Sequence, residues 1–334
     1  HLAGVAGSGM SSLAQVLAGG RTPVSGSDRC SASGENDDLL RKLRAAGVAI
    51  YPQDGSGVSG DVSAVVASTA LESGNPDLLA AESKAVPVMH RSELLARLAE
   101  GRCRVAVTGT CGKSTVTAMI GWILEQAGLD PTVVNGAPTI DWITTDRIGN
   151  ARVGQGEHIV FEADESDRSL LRFRPEWAVI TNASADHFGL DETVGLFESF
   201  ARQVRLGVVD VLREPGLLYG LDVRAGEGGV SCVAGGIRMQ LRLAGRHNAE
   251  NARLAFEVCR RLGIAADACV RSLESFRGIQ RRLEKVGRRN GVTVIDDYAH
   301  NPAKIAAAWS AVRPYSPRIR VVWRPHGYGP LAAM

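Results

Sequence analysis

Short apolar runs alternate with amphipathic stretches through the first hundred residues. Residues 1–5 read as the end of a strand, 10–18 as a helix, 23–27 as a second strand and 39–46 as a second helix. Residues 64–67, 77–85 and 86–89 continue the series as strand, helix and short strand. This β-α-β-α-β rhythm predicts a parallel sheet. The pattern restarts near Arg102. Residues 105–107 form a strand, a glycine loop follows, and 114–127 form a helix stopped by Gly128. Residues 158–161 and 177–181 read as strands, and 192–204 and 248–262 as helices, the last stopped by Gly263. Residues 206–236 are Gly-rich and irregular, and no order of elements can be read there. A third unit begins near Phe276, with a strand at 292–295, a helix at 302–312 and a strand at 319–322.

The expected fold class is therefore α/β, in three units at residues 1–100, 101–273 and 274–334. About 60 residues is little for an α/β unit to bury its own core, so the last unit reads as incomplete. The chain opens on His1 inside a strand, which reads as a short leader not represented. No repeat of solenoid period is present.

Composition narrows the function. The chain has 334 residues, 45% of them hydrophobic, an ordinary fraction for a globular protein. Lys plus Arg is 38 and Asp plus Glu 36, a net charge of +2, which excludes a strongly basic nucleic-acid binder. Aromatics at 5% leave little for stacking on single strands. No apolar run reaches the roughly 18 residues of a membrane span. The six cysteines form no Cys-x-x-Cys pair, which suits reduced thiols in a cytoplasmic protein.

The strongest chemical signal is Gly-Thr-Cys-Gly-Lys-Ser-Thr at residues 109–115, between a buried strand and a helix. Unpaired N–H groups at such a helix start, with the positive end of its dipole, bind anions. Lys113 can reach the β- and γ-phosphates of a nucleotide, and the Ser114 hydroxyl is placed for Mg²⁺. The usual phosphate-loop spacing needs glycine at 107, where Val107 stands. The first glycine is Gly109, and the shortened loop points away from GTPases and motor ATPases.

The strand at 159–161 ends in Glu162, Asp164, Glu165 and Asp167. Four carboxylates so close repel one another unless solvated or neutralised. Beside a phosphate loop, a strand-end carboxylate suits Mg²⁺; the alternative is a solvated acidic loop. The strand at 177–181 ends in Asn182, Asp186 and His187, where either a ligand-binding or a structural histidine fits. The opening glycines, Gly4, Gly7 and Gly9, do not follow the Gly-x-Gly-x-x-Gly dinucleotide order. Their strand–glycines–helix layout still suits a diphosphate, with Asp28 closing the second strand where a ribose-binding acid sits. A glycine turn with a capping Asp is the alternative.

Together these motifs resemble the Mur ligase family. Glu-Ala-Asp-Glu-Ser-Asp at 162–167 and Thr-Asn-x-x-x-Asp-His at 181–187 agree with its central domain. Gly-Arg-His-Asn-Ala-Glu-Asn-Ala at 245–252, Arg-Arg-Leu-Glu at 281–284 and Asp-Asp-Tyr-Ala-His-Asn-Pro at 296–302 agree as well. The resemblance runs, with gaps, from residue 1 to about 326. It implies a Rossmann-like first domain, a phosphate-loop central domain with a parallel sheet and an α/β C-terminal domain. The style of the motifs is that of the branch joining L-alanine to UDP-N-acetylmuramate, with the murein-peptide recycling branch as the alternative. A non-catalytic relative that binds nucleotides or UDP-sugars is a further alternative.

The resemblance implies an ATP-dependent, Mg²⁺-requiring amide ligase of peptidoglycan synthesis, working on small molecules as a monomer or homodimer. It implies that the UDP part is held by Gly7, Ser8, Gly9, Met10, Asp28 and Thr69. ATP would meet Gly109, Thr110, Cys111, Gly112, Lys113, Ser114, Thr115 and Asn248, with Arg282 and Asp297 reaching across from the third unit. Ser114, Glu162 and His187 would hold metal, and Lys113, Glu162 and His187 would carry the chemistry. The chain departs from the family at Cys111, where His or Asn is usual, at Asn301, which replaces a second His, and at residues 325–329.

Overall fold

The computed structural model describes residues 1–31, 34–185, 188–226, 228–234 and 236–324. The first unit runs β1 (Leu2–Ala3), α1 (Ser8–Gly19), β2 (Ser25–Ser27), α2 (Asp37–Ala45), β3 (Ala49–Tyr51), β4 (Val65–Ala67), α3 (Pro76–Ser83), β5 (Val88–His90) and α4 (Arg91–Leu98). Its sheet is parallel throughout, in the order β3-β2-β1-β4-β5. The chain leaves β1 toward β2 on one side and returns to β4 on the other. A crevice therefore opens at the carboxyl ends of β1 and β4, the position where open parallel sheets bind ligands. α3 starts where the sequence says it should: Asn75 accepts the Asp77 N–H at 2.9 Å, and Pro76 occupies the first helical position.

The second unit contains β6 (Cys103–Thr108), α5 (Lys113–Gln126), β7 (Thr132–Val134), β8 (Ala151–Arg152), β9 (His158–Glu162), β10 (Trp177–Ile180), α6 (Leu190–Ala201) and β11 (Gly207–Asp210). Sheet order is β11-β10-β6-β9-β7-β8, parallel except for the short β8. The middles of β6 and β9 and most of β10 are apolar and buried because both faces of the sheet are covered. Helix α5 is apolar nearly all round and lies buried between the sheet and two later helices, α7 (Arg246–Arg261) and α8 (Ala266–Ser275). A second apolar core joins Leu2, Met10 and Leu13 of the first unit to Val134, Phe161 and Phe197 of the second. The two units thus share one hydrophobic interior.

Residues 206–236, read as irregular from sequence, are largely ordered. They supply β11, β12 (Asp222–Gly226) and β13 (Gly229–Ala234), and the last two form an antiparallel meander with β14 (Ile237–Leu241). Gly228 sits at a positive φ of 83° in the β12–β13 turn, so the glycines that hide the pattern also make the hairpin. The third unit contains the antiparallel pair β15 (Glu284–Arg289) and β16 (Val292–Asp296), then α9 (Pro302–Val312), capped by Asn301 accepting the Lys304 N–H at 2.9 Å. The expected strand at 319–322 does not form. Among the described residues no neighbouring strand pairs with it, and Val322 is 93% exposed. No helix of the described residues is long and apolar enough to cross a membrane.

Candidate active site

One cavity of about 770 Å³ lies where the three units meet. The first unit contributes Gly7, Ser8, Gly9 and Met10 at the start of α1, and Ser68 and Thr69 just past β4. Helix α1 has no side-chain cap and no acid in its first turn. Its first N–H groups are therefore left for an anion entering the crevice. Asp28 does not line this cavity. Its carboxylate accepts the Ala6 N–H at 2.9 Å and the Cys30 N–H at 3.0 Å, which braces the glycine turn from behind.

The phosphate loop forms the floor. Gly109 (φ +129°) and Gly112 (φ +87°) both lie in the left-handed region, and a side chain at either would collide. At Gly109 a Cβ would overlap the Thr181 hydroxyl, and at Gly112 it would approach Asn251 Oδ1 to 2.5 Å. Gly109 shapes the turn without itself lining the cavity, whereas residues 110–115 all do. The end of β10 clamps the loop. Asn182 Oδ1 accepts the Cys111 N–H at 2.9 Å, and Cys111 O accepts from Thr181 Oγ1 at 2.5 Å and Asn182 Nδ2 at 3.0 Å. Thr110 Oγ1 takes the Ser184 N–H at 2.9 Å.

Lys113 Nζ donates to Gly109 O at 2.8 Å and to Glu165 at 2.7 Å. Burial pulls its pKa down, but Glu165, with Asp164 and Glu162 nearby, outweighs that and leaves the ammonium above its ordinary value. Burial pushes Glu165 and Glu162 up despite Lys113. Glu162 accepts the Gly136 N–H, and the Ser114 hydroxyl beside it also favours its charged form. Asp164 goes the other way: burial opposes ionisation, but Lys113, the Ser166 N–H and Arg91 hold it below the usual carboxylate range. Arg91 Nη2 lies 3.1 Å from Asp164 and 3.7 Å from Asp167, tying the start of α4 to the acidic loop after β9.

Among the described residues no group of three or more His, Cys, Asp and Glu side chains could hold a metal unaided. Mg²⁺ bound with a nucleotide takes one or two protein oxygens and fills its octahedron with phosphates and water. Glu162 and Ser114 offer such a pair, and a cation there would relieve the buried carboxylate. His187 lies outside the described residues.

The far wall comes from the second and third units. Asn248 is 5% exposed at the start of α7, and its Nδ2 donates to Ala244 O at 2.8 Å. Arg282 stacks on Tyr298 at 5.5 Å, between Arg281 and Leu283, both at positive φ. Asp297 accepts the Leu283 and Ala299 N–H groups, each at 2.8 Å. Asn248, Arg282 and Asp297, far apart in sequence, all line the one cavity. Sequence reasoning missed Arg91, Asn135, Asn150 and the pairing of Lys113 with Glu165. Only the acidity of the 162–167 run hinted at a lysine partner. Arg91 and Asn150 depend on contacts between units, and Asn135 on contacts between elements of the second unit.

Three family models match the chain: "Mur ligase family, catalytic domain" over residues 1–102, "Mur ligase middle domain" over 107–197, and "Mur ligase, glutamate ligase domain" over 281–326. UDP-N-acetylmuramate–L-alanine ligase of Carboxydothermus hydrogenoformans is 37% identical, over 98% of this chain and 76% of the relative. The enzyme of that name from Gloeobacter violaceus is 38% identical, over 98% and 75%. The crystal structure of UDP-N-acetylmuramate-alanine ligase from Thermotoga maritima superposes with a TM-score of 0.81 at 27% identity, covering 94% of this chain and 77% of that one. A murein peptide ligase from Psychrobacter arcticus shares the fold, with a TM-score of 0.74 at 22% identity.

Proposed function

The chain belongs to the Mur ligase family, and on that premise we propose that it is an ATP-dependent ligase joining L-alanine to UDP-N-acetylmuramate. The observation that carries this reading is the shared cavity. It sets the first turn of α1 and the first turn of α5, two anion sites, against the same space.

A carboxylate is a poor electrophile, so it must be activated before an amine can attack. The UDP-substrate carboxylate oxygen attacks the ATP γ-phosphorus and ADP leaves, giving an acyl phosphate. The amine of L-alanine then adds to the acyl carbon, and phosphate departs with one oxygen of the original carboxylate. The protein's share is alignment and charge neutralisation. Residues 110–115 receive the ATP phosphates, and Lys113 turns from Glu165 toward the γ-phosphoryl group. Ser114 and Glu162 would hold Mg²⁺, with His187 at a second metal as the family motif implies. Bound Mg²⁺ draws charge off the phosphate oxygens. Asn248 meets the adenine, and Arg282 and Asp297 close on phosphate and ribose. Gly7 to Met10 and Thr69 hold the UDP diphosphate, with Asp28 fixing their turn. We place the reaction in the cytoplasm, where ATP and reduced thiols coexist; none of the six cysteines forms a disulfide.

Lys113→Ala tests the assignment. Removing a preorganised charge aimed at the transferring group should cost at least about 10²–10³ in turnover, with the fold retained by circular dichroism. Wild-type phosphate release from a folded Lys113→Ala protein would remove Lys113 from the mechanism.

A further inference from the structure

Helix α1 carries the UDP-side anion site, yet much of what fixes its first turn comes from the second unit. Asn150, just before β8, is 1% exposed. Its Nδ2 donates to Ser8 O and to Ser11 Oγ, each at 2.9 Å, and its Oδ1 accepts from Gln15 Nε2 at 2.8 Å. Both amide hydrogens and the amide oxygen are thus spent on one face of α1. The Asn150 backbone faces the other way: its carbonyl accepts the Asn135 N–H at 2.9 Å. Asn135, also 1% exposed, donates its side-chain amide to Ser114 O at 3.2 Å, at the start of α5. The next residue, Gly136, donates its N–H to Glu162. An unbroken hydrogen-bonded path therefore runs from the first turn of α1, through two buried asparagines, to the first turn of α5 and the acid beside it.

We infer that Asn150 is a positioning residue for the UDP-substrate, holding the first turn of α1 at a fixed distance and angle from the phosphate loop. Three features support this. Both amide hydrogens and the amide oxygen engage α1, so the contact specifies orientation as well as distance. Ser8 lines the cavity, so rotation of its peptide turns the N–H groups that face the anion. Transfer between two bound substrates is steep in distance, with about 1 Å of misplacement costing roughly 10²-fold. The inference rests on the reading of α1 as the UDP site.

Asn150→Asp keeps the shape but replaces the donor to Ser8 O with an oxygen, which repels that carbonyl. UDP alone and Mg-ATP alone are the probes, by titration calorimetry on the whole chain. The expected result is UDP affinity lowered by about tenfold or more, with Mg-ATP affinity within about twofold. Ser11→Ala removes one partner of the amide and should move UDP affinity in the same direction by a smaller factor, which covers an Asn150→Asp protein that does not fold. With both variants, UDP affinity equal to wild type would overturn the inference. So would equal losses for UDP and ATP, which mark a general structural role. Failure of the wild type to bind UDP would instead bring down the reading of α1, and the positioning role with it.

Discussion

Lys113 is held by two partners. Its buried ammonium donates to Glu165 and to the Gly109 carbonyl, and these contacts offset part of the cost of taking the charge out of water. In the proposed reaction an incoming phosphate would replace Glu165 as its anion. Among the described residues no cation pairs directly with Glu162, and burial raises its pKa. A cation is the natural complement. Glu162→Gln keeps the side-chain volume and the Gly136 contact but loses the charge, so activity should need far more Mg²⁺ to saturate. An unchanged Mg²⁺ titration would move the metal site away from this residue. Cys111 gives a second test at this scale. Its backbone is clamped by Thr181 and Asn182, and it lines the cavity. Burial pushes the Cys259 thiol well above its ordinary value and Cys269 up to about 11. Cys111 should therefore alkylate faster than either at neutral pH, and Mg-ATP should slow it. Peptide mass spectrometry reads the rates, and labelling indifferent to ATP would place Cys111 outside the nucleotide's footprint.

At the scale of elements, β6 and β10 are fastened at their amino ends by Arg104 and Glu176. The carboxylate accepts the Arg104 backbone N–H and Nε at 2.9 Å each and Nη2 at 2.7 Å. Those Arg104 hydrogen bonds hold the Glu176 pKa down, from 4.5 to about 2. A depressed folded-state value means the pair stabilises above the unfolded pKa, and the gain is lost as pH falls toward the folded value. Glu176→Gln should cost about 1–3 kcal/mol at pH 7, and the gap from wild type should narrow below about pH 5. Denaturant unfolding at several pH values checks this; a constant gap would contradict it. The elements also mark what a single chain reveals. Contiguous signals, such as β6, its glycine loop and α5, are readable because helix start, loop and strand lie within about twenty residues. β12 and β13 were hidden because glycines and charges break the alternation that marks a strand. Residues 319–322 have the apolar pattern of a strand but lack a partner among the described residues, and pattern alone cannot supply one. Asn150 and Asn135 carry no motif; the first is read from contacts to α1 across units, the second from contacts between distant elements of one unit.

Across the whole molecule, the site is assembled from surfaces that no single unit completes. The switch point of the first sheet gives α1 and Thr69, the second sheet gives the phosphate loop and its acids, and the third unit gives Arg282 and Asp297. A shared apolar core fixes the first two surfaces against each other. In the proposed reaction this cavity moves the ATP γ-phosphoryl group onto a UDP-substrate carboxylate before the amide forms. The most direct measurement is isotope transfer. UDP-N-acetylmuramate carrying ¹⁸O in its lactyl carboxylate is incubated with Mg-ATP, L-alanine and the protein, and the released phosphate is analysed by mass spectrometry. One ¹⁸O atom per phosphate is expected, formed in step with amide and ADP. Phosphate free of ¹⁸O, released alongside amide, would contradict it.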